Sequence, residues 1–96
     1  MAGDGAAKTL VREVKVRNKY GMHARPAALF VRTASRYQAD IEVEKAGRRV
    51  SGKSIIGLLT MEAYQGIKLK LHARGADAPQ ALEALAALFA DGFGEE

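Results

Sequence analysis

Val14-Lys15-Val16-Arg17-Asn18-Lys19-Tyr20-Gly21-Met22-His23-Ala24-Arg25-Pro26-Ala27-Ala28-Leu29-Phe30-Val31-Arg32-Thr33-Ala34 changes its hydrophobic period half-way along, and the change decides the fold. On its N-terminal side, Leu10, Val14 and Val16 alternate with Arg12, Glu13, Lys15 and Arg17, the period of a half-buried strand. Asn18-Lys19-Tyr20-Gly21 supplies turn chemistry. From Ala24 the apolar residues Ala27, Phe30, Val31 and Ala34 recur at helical spacing, predicting an amphipathic helix that ends near Tyr37. Pro26 belongs in its first turn, where a missing N–H costs nothing. His23 therefore stands at the start of a helix.

Working outward, Ile41, Val43 and Lys45 alternate with Asp40, Glu42 and Glu44, and Arg49-Val50-Ser51 follows. This predicts a hairpin turning at Ala46-Gly47. Ser54 before Ile55-Ile56-Gly57-Leu58-Leu59 reads as the N-cap of a short helix, with Gly66 as a later stop. Ile67, Leu69 and Leu71 alternate with Lys68, Lys70 and His72, a strand on which His72 faces solvent. Asp77-Ala78-Pro79-Gln80 reads as a capping box opening a last helix. Leu82, Leu85, Ala86 and Phe89 form its apolar face and Gly92 ends it. The order is βαββαβα, an α+β domain with one sheet and its helices packed on one face.

The chain has 96 residues, enough for one domain, expected over 9–93, with a mobile N-terminal tail over 1–8 and a C-terminal tail over 94–96. At 48% hydrophobic and 27% charged residues it reads as a soluble globular protein with no room for a deep cleft. Absence of cysteine rules out disulfides and thiolate metal sites, and a cytoplasmic location is expected. No apolar run is long enough to enter a membrane as a spanning helix. The formal charge of +4 comes from scattered basic residues without interleaved aromatics, so no nucleic-acid partner is expected.

His23 carries the distinctive chemistry. A helix start offers unpaired N–H groups and a positive dipole end to an anion, and Arg25 adds a permanent cation. That positive end favours a neutral, nucleophilic imidazole, which could attack a phosphoryl group. A metal site is disfavoured because carboxylates near His23 are lacking in the sequence and His72 is the only other histidine. No cofactor is expected.

Gly21-Met22-His23-Ala24-Arg25-Pro26-Ala27 resembles the active-site run of HPr, the histidine-containing phosphocarrier of the bacterial phosphotransferase system. Gly52-Lys53-Ser54-Ile55-Ile56-Gly57-Leu58 is similar to that family's second motif, around its regulatory serine. The likeness runs from about Val11 to Phe93. It implies an open-faced β-sandwich, with a four-stranded antiparallel sheet and three helices on one face. It also implies that His23 accepts phosphate from phosphoenolpyruvate through Enzyme I, on Nδ1, and passes it to an Enzyme IIA. Arg25 would support the phosphorylated state, and the protein would be a carrier and not an enzyme.

The same resemblance makes Ser54 a substrate for the HPr kinase/phosphorylase, with a catabolite-control transcription regulator as a further partner. Its ordinary role, an N-cap, is compatible with that, since the dipole there tolerates a phosphate. Ala24, Ile55, Ile56 and Leu59 are expected to form an exposed docking patch, with Arg32 and Lys53 on its basic rim. Asn18–Met22 and Ala87–Phe93 look closer to NPr, the nitrogen-related paralogue, whereas the Ser54 segment looks closer to sugar-type HPr. A mainly regulatory binding module is therefore the alternative function.

Overall fold

The computed structural model describes residues 8–95, so all but Lys8 of the expected N-terminal tail lies outside the described residues. The elements follow the expected order: β1 Thr9–Lys15, α1 Ala24–Ala34, β2 Asp40–Lys45, β3 Arg48–Ser51, α2 Ile55–Leu59, β4 Lys68–Arg74 and α3 Ala78–Ala90. A 3-10 turn at Gly92–Gly94 closes the described chain. The sheet is antiparallel throughout, ordered β1-β4-β2-β3, so the first strand pairs with the last and β3 forms the other edge.

Alternation places Val14, Ile41, Val43, Leu69, Leu71 and Ala73 on the helix-covered face, all buried against Ala27, Phe30, Leu82, Leu85 and Phe89. Three phenyl rings run through this core edge to face. Phe30 and Phe89 are 6.0 Å apart, Phe89 and Phe93 4.9 Å. The β2–β3 turn at Ala46-Gly47 has positive φ at both residues, 51° and 86°, the primed type whose twist suits a hairpin. No described helix is long and apolar enough to cross a membrane.

The structure departs from the sequence reading at several points. Helix α1 ends at Ala34, and single-turn bonds from Arg36 N to Thr33 O and Tyr37 N to Ala34 O carry the turn on to Tyr37. Gly66 does not stop α2, which ends at Leu59; it sits instead in the turn leading into β4. Asp77 precedes α3 but makes no side-chain cap bond. Its carboxylate accepts from the amides of Gln38 and Ala39 at 2.8 and 2.9 Å, tying the start of α3 to the approach to β2.

His72 is not solvent-facing. It lies on the open face of the sheet, yet it is only 8% exposed. Its cross-strand neighbours Val11 and Glu42 flank it, and Nε2 lies 2.7 Å from Glu44 Oε1. The expected boundary after Phe93 also leaves out residues that pack: Gly94 belongs to the closing turn, and Glu95 reaches back across the fold to His23.

Candidate functional site

Gly21 shapes the approach to the site. Its φ is +67°, and a Cβ there would stand 2.4 Å from the Ala63 carbonyl oxygen, so no side chain fits. The next amide, Met22 N, donates to that same oxygen at 2.9 Å. Asn18 is buried beneath the loop, and its Nδ2 donates to Gly21 O at 2.7 Å. The loop thus delivers His23 to the N-cap position of α1 with extended backbone, φ −79° and ψ −171°.

His23 makes no side-chain capping bond; its Nε2 is engaged elsewhere. Tyr20, itself 70% exposed, meets it edge to face at 6.3 Å between ring centres. Arg25 and Ala24 are exposed in the first turn, and Pro26 is buried beneath them. An exposed imidazole, an arginine and a helix start converge as the sequence predicts.

A carboxylate also converges there, which the sequence reading denied. Glu95 Oε2 lies 2.9 Å from His23 Nε2 and Oε1 lies 3.1 Å from it. Arg25 Nε donates to Glu95 Oε2 at 3.0 Å, and Asn18 Nδ2 donates to Oε1 at 2.9 Å. The side-chain amide of Asn18 lowers the Glu95 carboxyl most, burial opposes it next in size, and the bonds from Arg25 and His23 add to the lowering, so that it lies below the ordinary carboxylate value. It is ionised at neutral pH.

The route that brings Glu95 here is a left-handed turn. Gly92, Phe93 and Gly94 have φ of +60°, +56° and +72°, and two glycines make such a run affordable around a single strained residue. Phe93 anchors it at both ends, with its ring buried against Phe89 and its carbonyl accepting from Arg25 Nη2 at 2.6 Å. Among the described residues, no three His, Cys, Asp or Glu side chains gather as a metal site.

Ser54 caps α2, its Oγ accepting from Gly57 N at 3.0 Å. Of the apolar residues in α2 only Leu58 is buried; Ile56 is 74% exposed, with Ile55 and Leu59 about half as much. Arg32 is exposed on α1. Lys53 is exposed too, but its Nζ donates to Tyr37 O at 2.8 Å, just beyond the end of α1. Helices α1 and α2 pack on each other.

Residues 10–91 match the family model described as the PTS HPr component phosphorylation site. The chain belongs to the HPr family. It is 44% identical to the phosphocarrier protein HPr of Treponema pallidum over 91% of this chain and 99% of that one. It is 47% identical to the HPr-like protein Crh of Bacillus subtilis, over 79% of this chain and 89% of that one. A solved structure of HPr from Thermoanaerobacter tengcongensis superposes with a TM-score of 0.87, at 45% identity, covering 91% of this chain and 98% of that chain. The chain is thus an HPr-type phosphocarrier of the phosphotransferase system, and its fold is the family's open-faced sandwich.

Asn18 and Glu95 are the site residues that sequence reasoning missed. Asn18 had a signal, an asparagine opening a turn five residues before the histidine. Glu95 had none, because nothing local marks a residue 72 positions away from its partner.

Proposed function

We propose that His23 is the phosphoryl acceptor of this carrier, receiving the group from phosphorylated Enzyme I, ultimately from phosphoenolpyruvate, and handing it to an Enzyme IIA-type domain in the cytoplasm. One observation carries the reading: an exposed imidazole stands at a helix start with the Arg25 guanidinium beside it, both within reach of one anion. A phosphoryl group on the ring would meet the positive end of α1 and the Arg25 donors. Exposure suits a carrier, whose acceptor must enter one partner's active site and then another's. Ala24, Ile55, Ile56 and Leu59 would supply the apolar part of that docking surface, with Arg32 and Lys53 at its edge.

Incubation with Enzyme I and labelled phosphoenolpyruvate tests it. The unaltered protein should take up one acid-labile, base-stable phosphate and His23→Ala none; equal labelling of both would end the proposal.

A second reading concerns Ser54. Its hydroxyl sits at the N-cap of α2 beside exposed Ile55 and Ile56. A phosphate placed there by an HPr kinase/phosphorylase would put about two negative charges next to the apolar docking residues without unfolding the helix. That would control which partners dock, a catabolite-control transcription regulator among them. Mass spectrometry after treatment with such a kinase should find the phosphate on Ser54, and its absence there would dismiss this reading.

A further inference from the structure

The Glu95 carboxylate adds something to the site that an anion-binding helix start does not need. A carboxylate accepts hydrogen bonds and cannot donate them, so a bond between ionised Glu95 and His23 Nε2 requires the proton to be on Nε2. In the neutral ring the other nitrogen, Nδ1, then bears the free lone pair. No protein group among the described residues hydrogen-bonds Nδ1.

The carboxylate is itself aimed. Asn18 is 1% exposed, and its Nδ2 bonds both Gly21 O and Glu95 Oε1, two acceptors, so only this amide orientation is consistent with its surroundings. That orientation leaves Asn18 Oδ1 buried without a protein partner among the described residues. The buried amide is thereby committed to its two Nδ2 partners, one of which is Glu95. Arg25 Nε and the Phe93 carbonyl close the arrangement from the other side.

We infer that Glu95 is a positioning residue for phosphoryl transfer: oriented by Asn18 and Arg25, it holds the Nε2 proton of His23 and so presents Nδ1 as the nucleophile. The inference rests on His23 being the acceptor. In the step itself, the Nδ1 lone pair forms the new bond to phosphorus. The bond between phosphorus and the donor breaks, and its electron pair returns to the donor. No proton has to leave His23. The Nε2 proton stays, and the ring's acquired positive charge faces the Glu95 carboxylate.

The experiment compares the full chain with Glu95→Gln and Glu95→Ala. Nitrogen-15 NMR of the neutral His23 ring reads the tautomer without any partner protein. The unaltered protein should show Nε2 protonated and Nδ1 bare, and both variants should move toward a mixture. The second-order rate of phosphorylation by phosphorylated Enzyme I should fall about fivefold in both, the scale of one charge-assisted hydrogen bond at an exposed ring. Thermal melting and the NMR signals of the core should stay as they are, which separates positioning from a folding defect. An unchanged tautomer in both variants overturns the inference, as does a changed tautomer with an unchanged rate. Should His23→Ala take up as much phosphate as the unaltered protein, the proposed function fails instead, and the tautomer measurement still reports on Glu95 alone.

Discussion

The two histidines of this chain each meet a glutamate through Nε2, at 2.9 Å for His23 and Glu95 and at 2.7 Å for His72 and Glu44. Their settings differ. The His23 side chain is 41% exposed, and its glutamate arrives from the far end of the chain. The His72 side chain is 9% exposed and sits mid-strand, walled in by cross-strand neighbours, with Arg49 also 3.7 Å from Glu44. The same pair of groups thus stands open to a partner where the ring can be reached and is locked into the sheet where it cannot. Scaffold and access, more than the pair chemistry, separate the two settings.

The widest separation should come from phosphate uptake. His23→Ala should abolish labelling by Enzyme I and phosphoenolpyruvate, while His72→Gln should be labelled as fully as the unaltered protein; loss of labelling in His72→Gln would erase the distinction. Next in size is Phe93→Ala. Removing a fully buried ring should lower the stability measured in urea by about 3–5 kcal/mol. Because Phe93 anchors the turn that delivers Glu95, the imidazole NMR signals of His23 should shift and those of His72 should not. Ser54→Ala supplies the control, costing about 1 kcal/mol through the lost cap of α2 and disturbing neither histidine.

The smallest effect is in the acid titration. Glu44 and Glu95 both titrate below the ordinary carboxylate value, Glu44 chiefly through its bond to His72 and Glu95 chiefly through Asn18. A lowered folded value means the unfolded chain binds protons first as the pH falls. The stability each carboxylate contributes is therefore whole above the ordinary carboxylate value, and it is lost as the pH drops through the lowered one. Carbon-13 NMR of the carboxyl groups should show His72→Gln raising the Glu44 midpoint alone and Asn18→Ala raising that of Glu95 alone. Crossed effects would mean that the two pairs are coupled.

Periodicity carried most of the fold. Elements such as β4 and α3 declare themselves because one face is buried and sequence alternation records which. Alternation reports the face, however, and not the exposure on it: His72 has the polar phase of β4 and is still buried, because Val11, Glu42 and Glu44 happen to flank it. Asp77 misleads for a related reason. An acid before Ala-Pro-Gln has the local form of a cap, but its carboxylate is taken by amides 38 and 39 residues away. At the site, His23 and Arg25 were legible because they are neighbours in one motif. Glu95 was not, because its arrival depends on a left-handed turn and a buried ring that only the assembled fold supplies.

That turn limits how the protein can be trimmed. By helix content, a cut after Ala90 would spare every helix and strand described above. It would nevertheless take away a core ring, a carbonyl on Arg25 and the carboxylate on His23 together. A shortened version that binds its partners poorly would then be reporting damage at the heart of the site, and assays on fragments or C-terminal fusions should keep residues 91–95 intact.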